Sequence, residues 1–277
     1  MKNLFKVGCI QTNTGANVMA NLDVATKLVR KARDAGADLI TLPETLNVMA
    51  PNREVLKSKI ELEENNLALD SFRRLAEETG AWILVGSILI DVADSKKMAN
   101  RSFLIDDVGK IRARYDKIHM FDVELGGAEN HNESKHYKAG EHAVLASTPW
   151  GKLGMTICYD LRFSYLYRAL ARAGAQMLSI PSAFTRITGK AHWHVLQRAR
   201  AIETGCFVIA PAQCGDHPGN RKTYGHSLIV DPWGEVLADG GEKTGFIVAE
   251  LDLGKVEEAR RKIPTISHEK NIKLIEM

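Results

Sequence analysis

Short apolar runs alternate with longer stretches of helical periodicity along the first half of the chain. Phe5–Gln11 is apolar and bounded by a polar turn, which predicts a strand. From Asn21 to Ala35, Leu22, Ala25, Leu28, Val29 and Ala32 recur at helical spacing, and Gly36 supplies a stop. Leu39-Ile40-Thr41-Leu42 is the next apolar run, and it leads directly into Pro43-Glu44. This is a β-α-β opening. Leu67 to Thr79 has the pattern of a second amphipathic helix closed by Gly80, and Trp82–Ile90 is a strand. Arg101–Asp106 and Lys110–Tyr115 flank Asp107-Val108-Gly109, a hairpin signature.

The second half repeats the alternation. Lys152–Cys158 is a predicted strand, Phe163–Ala173 a helix ending at Gly174, and Gln176–Ile180 a strand stopped by Pro181. Ala191–Thr204 is a helix and Cys206–Ala210 a strand. Tyr224–Val230, Glu235–Leu237 and Phe246–Leu251 complete the strands, with Asp231-Pro232-Trp233-Gly234 as a hairpin turn. No repeat, low-complexity stretch or linker interrupts the series, so residues 1–277 are expected to form one domain. Helices alternating with strands, together with hairpins, predict a layered α/β fold. Asp116 to Gly140 is polar, rich in His, Glu and Gly, and long for a connector, which marks it as a functional loop.

Composition removes some function classes. An apolar content of 45% and a charged content of 26% are ordinary for a soluble domain. The net charge of +3 is dispersed, so a nucleic-acid partner is not expected. No apolar run is long enough to cross a membrane, and the start reads as a strand rather than a leader. Cys9, Cys158, Cys206 and Cys214 form no C-x-x-C pair. Free thiols in a reducing cytoplasm are the simplest expectation.

Common chemical motifs fail. Neither a dinucleotide fingerprint nor a P-loop is present, and Gly225-His226-Ser227 lacks the second glycine of a nucleophile elbow. The histidines around His131-Asn132-Glu133-Ser134-Lys135-His136 do not match a zinc-protease motif, and spacing alone supplies no convergent geometry. What survives is a set of reactive groups at strand ends: Glu44 after Leu42-Pro43, Lys117 after Tyr115-Asp116, and Cys158 after Ile157. Their chemistry is complementary. A thiol needs a base to become the nucleophilic thiolate, a glutamate whose pKa is raised by burial can be that base, and a nearby ammonium stabilises an oxyanion.

Leu42-Pro43-Glu44, Arg114-Tyr115-Asp116-Lys117 with His119, and Cys158-Tyr159-Asp160-Leu161-Arg162-Phe163 resemble the signature blocks of the nitrilase superfamily of carbon–nitrogen hydrolases. They occur in the family's order. Pro181-Ser182-Ala183-Phe184-Thr185, Ala191-His192-Trp193, Arg198 through Glu203, and Tyr224-Gly225-His226-Ser227 through Asp231-Pro232-Trp233-Gly234 resemble the Nit branch, and within it the deaminated-glutathione amidases.

That resemblance implies a four-layer αββα sandwich. It implies Cys158 as nucleophile, Glu44 as general base, Lys117 as oxyanion lysine with the Tyr159 N–H as second donor, and Glu133 as a second glutamate beside the thiol. Arg162 is a candidate carboxylate clamp or, alternatively, a structural ion pair with Asp160 or another acid. Phe184, Thr185 and Arg186 are expected at the substrate mouth. His194 departs from the acidic residue of many relatives. The implied reaction takes deaminated glutathione to 2-oxoglutarate and cysteinylglycine with no metal or organic cofactor. The alternatives are an ω-amidase on 2-oxoglutaramate or 2-oxosuccinamate, a true nitrilase, a non-catalytic binding module on the same fold, and a papain-like hydrolase using His142 or His192. The resemblance also implies a homodimer or larger assembly through Phe163–Ala173 and Ala191–Thr204, with the tail at 256–277 as a candidate contact with a neighbouring subunit.

Overall fold

The structure, a computed structural model, describes residues 4–124 and 130–276. In chain order its elements are β1 (Leu4–Gln11), α1 (Val18–Asp34), β2 (Leu39–Thr41), α2 (Arg53–Lys57), α3 (Leu67–Thr79), β3 (Trp82–Ile90), β4 (Ala99–Ile105) and β5 (Ile111–Asp116). The polar loop contributes two short strands, β6 (Asp122–Val123) and β7 (His131–Asn132). Then follow β8 (Val144–Ser147), β9 (Lys152–Met155), α4 (Ser164–Arg172), β10 (Met177–Ser179), α5 (Arg186–Thr204), β11 (Phe207–Ala210), β12 (Cys214–Asp216), β13 (Lys222–Tyr224), β14 (Leu228–Val230), β15 (Val236–Asp239), β16 (Gly245–Asp252) and α6 (Gly254–Lys262).

Two six-stranded sheets form the centre, ordered β16-β1-β2-β3-β4-β5 and β15-β14-β11-β10-β9-β8. Each has a parallel core, β1-β2-β3 in one and β9-β10-β11 in the other, flanked by antiparallel strands. One apolar cluster joins Phe5, Val7, Leu39 and Leu84 of the first sheet to Leu153, Leu178 and Ile209 of the second. It continues to Leu166, Leu170, Trp193 and Ala201 on α4 and α5. A second cluster packs Leu22, Val29, Phe72 and Leu75 of α1 and α3 on Ile40, Ile83 and Val85. Helix, sheet, sheet and helix therefore stack as the expected αββα sandwich.

Local chemistry sets the helix ends. Asn17 accepts the Ala20 N–H at 3.2 Å, so α1 starts before the expected Asn21. Asn66 caps α3 through the Leu69 N–H at 3.0 Å, and Gly80, at φ 60°, closes it in the left-handed conformation. The expected strand at Tyr224–Val230 is broken. Gly225 and His226 both have positive φ, which ends β13 and re-aims the chain into β14. The distal chain holds a short helix, α6, before an extended segment tied back by Glu269 to Arg168 and Arg172, each at 2.9 Å.

The sheets approach closely beneath the strand ends that carry Glu44 and Cys158. At Gly86, where β3 is irregular, a Cβ would sit 1.7 Å from the Leu42 carbonyl oxygen and 2.5 Å from Pro181 Cβ. Only glycine fits there. Gly86→Ala is expected to destabilise the fold by about 3 kcal/mol, because backbone on one side and a ring on the other cannot both yield. Urea unfolding should show a lower midpoint with an unchanged slope, and an unaltered midpoint would refute this account of the close approach.

Candidate active site

The parallel strands of both sheets deliver their carboxyl ends to one region. Beyond β2, Pro43-Glu44 leads into Thr45, a non-glycine residue at φ 53° whose N–H is held by Ser87 Oγ at 2.9 Å. Beyond β9, the chain reaches Cys158 at φ 49° and enters a 3-10 turn over Cys158–Arg162. Both strand ends thus terminate in a left-handed residue, a strained choice for side chains of this size. The Cys158 N–H donates to the Pro181 carbonyl at 3.0 Å, which holds that elbow in place.

Asp160 anchors the turn. Its fully buried carboxylate accepts the Ile157 N–H at 2.8 Å, the Tyr115 hydroxyl at 2.6 Å and the His119 N–H at 3.0 Å, and meets His119 Nδ1 at 2.7 Å. The His119 ring stacks on Phe163 at 3.6 Å between centroids and its Nε2 meets the Tyr165 hydroxyl. Asp160 is therefore spent on these partners and does not pair with Arg162. The Arg162 guanidinium instead faces His192 Nδ1 at 3.4 Å and lies over the Phe184 ring at 5.3 Å.

Glu44 and Lys117 are each 1% exposed. Glu44 Oε1 accepts from Lys117 Nζ at 3.0 Å and from Asn100 Nδ2 at 2.9 Å, and Oε2 accepts the Ala183 N–H at 2.8 Å. Lys117 Nζ also donates to Glu133 Oε2 at 2.8 Å, and that oxygen takes the Phe121 N–H at 2.9 Å. Cys158, 8% exposed, lies within electrostatic reach of the Glu44 carboxylate. The structure thus brings Glu44, Lys117, Glu133 and Cys158 together from separate elements.

Their electrostatics divide the labour. Burial pushes the Cys158 thiol up, and the neighbouring Glu44 charge pushes it further, so the resting thiol is protonated. Burial also pushes the Glu44 carboxyl up, but Lys117, Arg221 and the hydrogen bonds outweigh it and hold the group below the usual range. This differs from the expectation that burial would raise the base. Burial alone would lower Lys117, yet Glu133 and Glu44 hold its ammonium well above the ordinary value.

The cleft over Cys158 is lined by Lys117, Phe121, Glu133, Tyr159, Phe184, Thr185 and Arg221, among others. It leaves about 10 Å³ of free space, room for one water. A much larger cavity of about 820 Å³ lies between residues 61–73 and β5. It holds no nucleophile; Arg101 and Arg114 are paired with Glu63 and Asp116 at 2.6 Å, and Arg73 donates to the Gly109 carbonyl at 3.0 Å. The small cleft is the chemically competent one. Arg186 does not line it. The first residue of α5 turns outward, pairs with Asp216 at 2.7 Å and borders a separate cleft.

Arg221 is a cleft residue that motif reading missed. It sits in a polar stretch that looks like surface loop, and no periodicity marks it. Its Nη2 donates to the Ala183 carbonyl at 3.1 Å, while its Nε is buried with no hydrogen-bond partner among the described residues. Asn100 and the Ala183 N–H were equally invisible, because both act on Glu44 across long sequence separations. Among the described residues, neither His131 nor His136 belongs to a cluster of three or more potential metal ligands.

The chain matches the carbon-nitrogen hydrolase family over residues 6–261 and belongs to it. It is a hydrolase acting on carbon–nitrogen bonds. It is 37% identical over 270 residues to the deaminated glutathione amidase of Yersinia enterocolitica, covering 97% of this chain and 93% of that protein. It superposes on the nitrilase–fragile histidine triad protein NitFhit of C. elegans with a TM-score of 0.88 at 35% identity, covering 96% of this chain and spanning 65% of that fusion protein. With Saccharomyces cerevisiae Nit3, a member of branch 10 of the nitrilase superfamily, the TM-score is 0.85 at 30% identity, with 94% of each chain covered. Among the described residues no helix is long and apolar enough to cross a membrane.

His217 carries the loop that leads to Arg221. It is buried, meets the Thr14 carbonyl through Nδ1 at 2.9 Å and Thr223 Oγ1 through Nε2 at 2.7 Å, and takes the Arg221 carbonyl on its own N–H at 2.8 Å. Burial lowers its pKa from 6.5 to about 4. The unfolded chain binds the proton first, so this contribution to stability is complete above pH 6.5 and is lost as pH falls to about 4. Unfolding free energy should drop by roughly 3 kcal/mol across that window. The drop should vanish in His217→Gln, and a pH slope that survives the substitution would assign it to another group.

Proposed function

We propose that this chain hydrolyses a linear amide through a thioester on Cys158, with deaminated glutathione as its substrate. The observation that carries the reading is the buried contact of a protonated thiol, a low-pKa carboxylate and an ammonium in one cleft. The similarity to deaminated glutathione amidases supports the substrate.

As the Cys158 sulfur bonds to the amide carbon, its proton passes to Glu44. The carbonyl oxygen takes the negative charge and faces Lys117 and the Tyr159 N–H. Glu44 returns the proton to the nitrogen as the C–N bond breaks and cysteinylglycine leaves. Water then gives a proton to Glu44 and attacks the thioester, releasing 2-oxoglutarate and the thiol. Glu133 fixes the ammonium and balances its charge. Arg221, whose buried Nε has no partner among the described residues, lines the cleft and is assigned the substrate carboxylate. Tyr159, Phe184 and Thr185 shape the cleft, Arg162 sits at its edge on Phe184, and Arg186 lies outside it, paired with Asp216.

The narrowness of the cleft favours a second reading, an ω-amidase on 2-oxoglutaramate, with the same chemistry and a smaller leaving group. The free, buried cysteines fit a reducing cytoplasm. Assembly as a homodimer or larger oligomer is supported by exposed Tyr165 on α4 and by Ile187, Val195 and Ile202 on α5, each more than half exposed.

Measuring kcat/KM on deaminated glutathione and on 2-oxoglutaramate, with Cys158→Ala as blank, separates the readings. Deaminated glutathione is expected to be preferred. Lys117→Ala should lose about a hundred- to thousand-fold in kcat, and Arg221→Gln should act mainly on KM. Near-wild-type turnover in a folded Lys117→Ala protein would sink the mechanism. Light scattering at micromolar concentration should give a mass of at least a dimer, and a monomer there contradicts the assembly.

A further inference from the structure

A second group of chemically potent side chains lies outside the cleft. His194 on α5, His226 in the loop between β13 and β14, and Asp239 at the end of β15 come together although they span 45 positions at the widest. His194 Nε2 is 3.0 Å from Asp239 Oδ2, and His226 Nδ1 is 2.9 and 3.1 Å from the two carboxylate oxygens. One ligand atom from each of the three lies within 4.8 Å of the others. None of these residues has a part in the amide chemistry.

The surroundings hold the donors in place. The His226 backbone is left-handed at φ 55°, fixed by its N–H to the Gly241 carbonyl at 2.6 Å and by Trp193 Nε1 to its own carbonyl at 2.7 Å. The His226 ring stacks on Tyr224 with centroids 4.4 Å apart. Asp239 Oδ1 also accepts the Gly241 N–H at 2.8 Å, which orients the carboxylate. Side-chain exposures of 35% for His194 and Asp239 and 20% for His226 leave the point of convergence open to solvent.

Two imidazoles and a carboxylate are a zinc-type donor set. Metal bonds of about 2.0–2.2 Å in a tetrahedron place such donors about 3.3 Å apart, so a small opening of the present hydrogen-bonded cluster admits the ion and leaves a fourth position for water. We infer that His194, His226 and Asp239 form a binding site for a divalent zinc-type cation, separate from the Cys158 cleft. On binding, each imidazole turns a lone pair to the ion, and its proton moves to the other ring nitrogen. The carboxylate needs no proton change.

Zinc titration by calorimetry, on chelator-stripped Cys158→Ala protein so that the thiol does not compete, tests the site. Cobalt titration followed by visible absorption reads the same site independently. One equivalent is expected to bind at micromolar zinc. Affinity should fall at least about tenfold in His194→Gln and in Asp239→Asn, with loss of the cobalt bands. Both positions are partly exposed, so each variant is expected to fold, and circular dichroism checks this. His226 is left intact because its backbone conformation is strained. Binding only at millimolar zinc, or equal affinity in both folded variants, overturns the proposal. The second result would move the ion elsewhere on the chain.

Discussion

The site rests on a buried ammonium held between two carboxylates. Lys117 is almost fully buried, and taking its charge out of water is expensive unless the partners come with it. Glu44 and Glu133 supply that compensation from two different stretches of chain. The carboxylates in turn need donors for their remaining lone pairs, which Asn100, the Ala183 N–H and the Phe121 N–H provide. Removing any member strands a charge in a low-dielectric interior. Both sheets and the long polar loop must therefore be in place together for any part of this arrangement to be favourable.

Two mechanical features serve that electrostatic demand. Gly86 lets the Leu42 carbonyl and Pro181 approach across the sheets, which brings the Glu44 strand end beside the Cys158 elbow. Asp160 then ties the elbow to Tyr115 and His119, on either side of Lys117 in the chain. The Cys158 thiol and the Lys117 ammonium are thus positioned by one shared, fully buried carboxylate. Such buried, fully satisfied polar hubs fix geometry more sharply than apolar packing does.

The layers and most central elements were legible in the sequence because burial on one face leaves a period. The amphipathic runs of α1 and α3 and the apolar run of β3 carried that signal. It failed where local backbone chemistry overrode it: the left-handed pair Gly225-His226 splits one apolar run into β13 and β14, and α5 begins at Arg186 rather than Ala191. That early start also turns Arg186 outward while Thr185, its neighbour, lines the cleft. Glu44, Lys117 and Cys158 were recognisable because each closes a strand inside a family-like block. Arg221 and Asn100 were not, since their importance lies in partners 38 and 56 residues away.

The opposed shifts of thiol and base have a chemical consequence. A protonated Cys158 beside an ionised Glu44 is a poor nucleophile at rest, since the thiolate is the reactive form. Moving the proton to Glu44 leaves the new negative charge on sulfur, in a site that already holds two carboxylates and one ammonium. Transfer becomes favourable only when that charge can flow onward to a carbonyl oxygen facing Lys117. On the proposed mechanism, the thiolate therefore forms in step with its attack on a correctly seated amide. A tight cleft and a low resting thiolate population act in the same direction, against reaction with casual electrophiles.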